Sequence, residues 1–144
     1  MQLERLSVDL HAAGLEATLL DLVEIRASQL NGCAFCIDMH SKSAKLHGER
    51  ELRLYALPAW RESPLFTDRE RAALAWTEAL TRIDDSGVPD EPFEQARSQF
   101  SESELVDLTL VISVINAWNR LNVAFRPVPG SLDVHLGLSA AGLR

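Results

Sequence analysis

Cysteine is scarce, with two in 144 residues, at positions 33 and 36. A pair this close in sequence closes only a very short loop, so it cannot staple a secreted fold. That leaves chemistry or metal binding as its purpose. Strand signals are nearly missing too: aromatics make up 6% of the chain, and no alternating Val, Ile, Thr or aromatic run is bounded by hairpin turns. Basic charge is short, with 14 Lys and Arg against 21 Asp and Glu, a net charge of -7. The scattered basic residues exclude the electrostatic footprint of a nucleic-acid binder or of a protein drawn to anionic lipid. No stretch approaches the roughly 18 apolar residues of a membrane span, and the opening MQLERLSVDLHAAG is charged where a signal peptide is apolar. The expectation is a cytoplasmic protein.

What is present is helical periodicity. A chain with 47% hydrophobic residues can bury one core and is short for two, so residues 1–144 are expected to form one all-α domain, a bundle of six to seven helices. From Glu16 to Leu30, the residues Leu20, Val23, Ala27 and Leu30 make one apolar stripe, leaving Asp21, Glu24 and Ser28 on a neighbouring polar one. Asn31 then caps a helix that places Cys33 in its first turn and runs to His47, where Gly48 ends it. A shorter helix from Glu49 stops at Pro58. Thr67 with Glu70, and Ser101 with Glu104, are capping boxes. They open helices to about Ile83 and Phe125, and another helix spans Asp90 to Phe100. The Glu104–Phe125 helix is apolar on most of its circumference. This predicts a central helix or a subunit interface, with Thr109, Ser113, Asn116 and Arg120 as a thin polar stripe. A charge at Arg120 on such a helix predicts a carboxylate partner. The tail after Pro127 reads as coil that is ordered only if docked.

The informative segment is Gln29-Leu-Asn-Gly-Cys33-Ala-Phe-Cys36-Ile-Asp-Met-His40. Positions three and four apart share a helix face, so Cys33, Cys36 and His40 fall on one patch. The thiolate is the reactive form of cysteine. A helix N-terminus and an imidazole both favour it, by dipole and by taking the thiol proton. A second cysteine one turn away lets an oxidised thiol resolve into a disulfide that can cycle. Cys36 is favoured for peroxide and Cys33 as the resolving thiol and first contact for a reductant, with the reverse assignment open. Asp21 and Glu24, on the preceding helix, are candidates to orient His40; the alternative is that both are solvated surface acids.

This stretch resembles the core motif of AhpD-like alkylhydroperoxidases in the carboxymuconolactone decarboxylase superfamily. The resemblance runs from Leu22 to about Trp76, including Ile25-Arg-Ala-Ser-Gln-Leu-Asn31 and Leu54-Tyr-Ala-Leu-Pro-Ala-Trp60, and continues through Ile115-Asn-Ala-Trp-Asn-Arg120. It implies an all-α fold that assembles into trimers or hexamers, a peroxide (or small disulfide) as substrate, and a dithiol protein or small thiol as reductant. It also implies that Cys36 is peroxidatic and that His40 belongs to a proton relay. That relay starts at an acid twelve residues before the first cysteine. The position holds Asp21, where the family usually has Glu, so the relay needs a water or passes to Glu24. Members that decarboxylate carboxymuconolactone lack the cysteine pair, and that reaction is not expected here.

Two rivals remain. Zinc would find three ligands in Cys33, Cys36 and His40, but structural zinc wants four and no second cluster exists. No metal or organic cofactor is therefore expected. A redox sensor or structural module whose cysteines respond to oxidant without turnover would carry the same residues.

Overall fold

A computed structural model describes residues 1–143. It contains α1 (Gln2–His11), α2 (Ala17–Asn31), α3 (Ala34–Leu46), α4 (Glu51–Ala56), α5 (Asp68–Thr81), α6 (Asp90–Gln99) and α7 (Glu102–Phe125). Short 3-10 turns lie at Leu57–Ala59 and Leu138–Ala141, and no strand occurs among the described residues. The all-α expectation holds, and both capping boxes form: Thr67 and Ser101 each accept from the amide three residues on. Helix α1 has no counterpart in the sequence reading, although Leu3, Leu6 and Leu10 recur at helical spacing and mark a face. Only Leu10 in it is buried.

The central helix is α2, which packs on α3, α5 and α7. Leu19, Leu20 and Val23 enter a core shared with Trp76, Phe100, Leu108, Val111 and Ile112. On the other side, Leu22 and Ile25 join Leu57, Trp60, Phe66 and Leu74. With apolar residues buried on both sides, the stripe of Asp21, Glu24 and Ser28 is buried too. Each group on it finds a partner, as buried polar groups must. The Ser28 hydroxyl donates to the Glu24 carbonyl at 2.7 Å and accepts from Asn119 Nδ2 at 2.9 Å. Asn31 does not cap α3 as expected. Its Nδ2 instead donates to Asn116 Oδ1 at 3.0 Å and Asn119 Oδ1 at 2.9 Å, tying the end of α2 to α7.

Helix α7 is buried on one side only. Leu105, Leu108, Val111, Ile112 and Ile115 face the core, while Val106, Leu110, Val123 and Phe125 are exposed. By length and composition alone it could cross a membrane, which corrects the sequence reading that no stretch comes close. It packs instead along α1, α2, α3, α5 and α6. Arg120 also departs from expectation: it is exposed and donates to the Asn116 carbonyl and side-chain oxygens, with no carboxylate partner among the described residues. The side chain snorkels to water, so the cost of burying a charge never arises. The tail is docked: Lys42 of α3 bridges Asp38 at 2.7 Å and Asp133 at 2.8 Å.

Asn119→Ala should destabilise the protein by about 1–3 kcal/mol, because Asn31 and Ser28 lose a buried partner, whereas Arg120→Ala should stay within about 0.5 kcal/mol. Urea unfolding of both variants checks the contrast.

Candidate active site

Gly32 ends α2 in the left-handed conformation, φ 66°, and turns the chain straight into α3. Cys33 is the residue that caps α3. Its Sγ accepts from the amide of Cys36 at 3.3 Å, so the sulfur occupies the place a serine oxygen takes in ordinary caps. One turn on, Cys36 lies inside the helix. The two sulfurs are bonded as a disulfide, with Cα atoms 5.3 Å apart. Both cysteines are 1% exposed and pack with Phe35 and Met39.

Asn122 of α7 donates from Nδ2 to Cys36 Sγ at 3.4 Å. Sequence reasoning missed this residue. The signal was available, since Asn116, Asn119 and Asn122 recur at three-residue spacing on an otherwise apolar helix, but the stripe drawn through Thr109, Ser113, Asn116 and Arg120 follows another line. An amide N–H aimed at sulfur stabilises a thiolate more than a thiol.

The structure separates the two candidate acids. Glu24 Oε2 lies 3.1 Å from His40 Nδ1. Asp21 instead holds His47 Nδ1 at 2.6 Å and accepts from the Ser43 hydroxyl at 3.3 Å. Neither acid is solvated: Asp21 is 2% and Glu24 6% exposed. With Nδ1 toward a carboxylate, a neutral His40 carries its proton there and leaves Nε2 as a base, on the helix face of Cys36. Glu24 is shared. His11, from α1, brings Nε2 to the same Oε2 at 3.2 Å, while its Nδ1 lies 2.7 Å from the Ser7 carbonyl.

Burial pushes the Glu24 carboxyl up, but the charge of His40 and the hydrogen bonds of His11 and His40 outweigh it and bring it to about 2 from 4.5. The hydrogen bond to Glu24 raises His11 to about 9 from 6.5, against the opposing effect of burial. Asp21 is raised by burial, with His47 pulling the other way. Among the described residues, a cavity of about 360 Å³ opens beside the pair, walled by Cys33, Phe35, Val123, Pro127 and Val128, with Asn122 and Arg126 as its polar side chains.

Residues 3–79 match the model of the Carboxymuconolactone decarboxylase family. The uncharacterized protein YdfG of Bacillus subtilis (strain 168) is 45% identical over 112 residues, covering 78% of this chain and 76% of that protein. YnjA of Escherichia coli (strain K12), also uncharacterized, is 35% identical over 111 residues, 76% of this chain and 60% of its own length. Among solved structures, an Agrobacterium tumefaciens protein of unknown function, provisionally assigned as the antioxidant defence protein AhpD, superposes with a TM-score of 0.86. It shares 42% identity and covers 89% of this chain and 88% of that one.

The Glu24 cluster should give stability two pH limits. The lowered carboxyl contributes fully above 4.5 and loses its contribution as pH falls toward about 2. The raised His11 contributes fully below 6.5 and loses it as pH rises toward about 9. Denaturant midpoints measured from pH 2 to 10 should show both limbs, and Glu24→Gln should flatten both.

Proposed function

The chain belongs to the carboxymuconolactone decarboxylase family, and we propose that it is a thiol-dependent peroxidase working at Cys33 and Cys36, recycled by a dithiol protein or small thiol. One observation carries the reading. The bonded cysteine pair caps a helix, with an amide donor on Cys36 and a carboxylate-anchored imidazole one turn away. In the reduced pair, His40 Nε2 takes the Cys36 proton. The thiolate attacks the outer peroxide oxygen and the O–O bond breaks. The leaving alkoxide collects the proton from His40, giving an alcohol and Cys36 sulfenic acid. Cys33 then attacks the Cys36 sulfur, closing the disulfide and releasing water. A dithiol attacks Cys33, the cysteine of the pair that borders the cavity. Its second thiol displaces the mixed disulfide, so two electrons return to the pair while the reductant leaves oxidised. A small disulfide substrate would enter by the same exchange in reverse.

Glu24, in this reading, orients His40, and Asp21 supports the helix behind it through His47. The family's usual acid position thus gives up its contact, because Asp is one methylene shorter and a second carboxylate sits one turn nearer. The exposed apolar side of α7, with Val106, Leu110, Val123 and Phe125, supports a homo-oligomer such as a trimer or hexamer. Copies of the chain suit it better than lipid, because Ser113 and Arg120 are exposed along the same helix. A reducing compartment, the cytoplasm, suits a pair that must cycle.

Cumene hydroperoxide consumption under excess dithiothreitol tests the reading. Turnover should vanish in Cys36→Ser, fall about 10²- to 10⁴-fold in His40→Ala, and fall roughly tenfold or more in Asn122→Ala. Cys33→Ser should accumulate an oxidised Cys36 visible by mass spectrometry. A wild type that forms its disulfide once and never cycles leaves a redox sensor as the better account.

A further inference from the structure

Glu24 is held from two sides, and only one of them belongs to the cysteine helix. His11 stands outside the mechanism above, yet its ring is the more constrained of the two. Nδ1 faces the Ser7 carbonyl, which can only accept, so Nδ1 carries a hydrogen. Nε2 faces the Glu24 carboxylate. With acceptors at both nitrogens, the ring satisfies both only when doubly protonated, as an imidazolium. The exposures point the same way: the side chains of Glu24 and His40 are 7% and 11% exposed, and that of His11 38%. A cation at the rim thus touches the same oxygen as the buried base.

We propose that His11 is a positioning residue for the Cys36–His40 pair: its imidazolium clamps Glu24 Oε2 and cancels the carboxylate charge, so that Cys36 reaches its thiolate at a lower pH. Removing a cation disfavours every deprotonation nearby, whether the proton leaves the thiol or the imidazole. The sign of the effect is therefore independent of which group titrates first. The other titratable groups facing the cluster are Asp21 on α2 and His47 at the end of α3, already paired with each other. From α7, the polar groups turned toward α2 and the sulfur are the neutral amides of Asn116, Asn119 and Asn122. Apart from His40, the base in this reading, no further cationic side chain touches Glu24 among the described residues, so His11 has no understudy on the α1 side. The arrangement joins the N-terminal helix to the chemistry: α1 packs on α7, with Trp118 Nε1 donating to the Ser7 hydroxyl at 3.0 Å, and ends at the active-site carboxylate.

The inference rests on reading Cys36 and His40 as the reacting pair, and its test needs neither peroxide nor turnover. The reduced full-length protein is alkylated with iodoacetamide from pH 5 to 10, and Cys36 modification is followed by peptide mass mapping in wild type, His11→Gln, His11→Ala and His11→Lys, each checked by circular dichroism. The midpoint for Cys36 should move up by roughly one pH unit in the Gln and Ala variants, a tenfold slower reaction below the midpoint. Lysine, which restores the cation, should bring it back toward wild type. A Gln profile that superimposes on wild type overturns the proposal, as does a Lys variant shifted as far as Gln, since shape or hydrogen bonding would then be what His11 supplies. A shifted Gln profile in a protein that consumes no hydroperoxide keeps the clamp and overturns the peroxidase reading. Steady turnover with an unmoved profile does the reverse.

Discussion

A carboxylate inside a helical core costs several kcal/mol unless it is paired and hydrogen-bonded, and α2 buries two of them. Asp21 and Glu24 lie on the inner stripe of α2, a helix packed on both sides. Their compensation comes from elsewhere in the chain: Ser43 of α3 and His47 at its end for Asp21, His40 of α3 and His11 of α1 for Glu24. Three helices are thereby committed to one arrangement, because a slip of any one would leave a buried charge bare. The stripe goes on through Ser28 and Asn31 to the amides of α7, so the fourth helix is bound by the same demand.

The chemistry grows from that constraint. The contact that neutralises Glu24 also fixes the His40 ring, and fixing Nδ1 toward the acid leaves the other nitrogen as a base. The amide ladder that satisfies the end of α2 continues one turn further along α7 to Asn122, which touches Cys36 Sγ. Gly32 brings the two helices together in a single left-handed step, placing Cys33 at the cap and Cys36 one turn inside. In the proposed reading, stability and reactivity use the same bonds. Two groups whose pKa values are held far from the ordinary, Glu24 and His11, sit near the cysteine pair, a pattern common at functional sites.

Much of the fold was legible in the sequence. The capping boxes at Thr67 and Ser101, the breaks at Gly48 and Pro58, and the apolar spacing of α2 and α7 are local signals, and local signals act through the nearest turn of backbone. The grouping of Cys33, Cys36 and His40 was equally legible, because helical spacing alone puts them on one face. Where the reading failed, the cause was long-range. Asn31 has the chemistry of an N-cap, yet its amide lies among those of Asn116 and Asn119. Arg120 was expected to need a carboxylate, but its side of α7 faces water.

The sequence by itself determined the all-helical architecture, the cysteine pair at a helix start and the imidazole beside it, since each depends on residues within about one turn of one another. Only the tertiary structure decided which helix is central, which acid meets His40, that Asn122 touches Cys36 and that His11 touches Glu24. Those four outcomes depend on which faces of distant helices are brought together. That in turn is set by where buried charges and amides can find partners across the whole chain, a condition no local window contains.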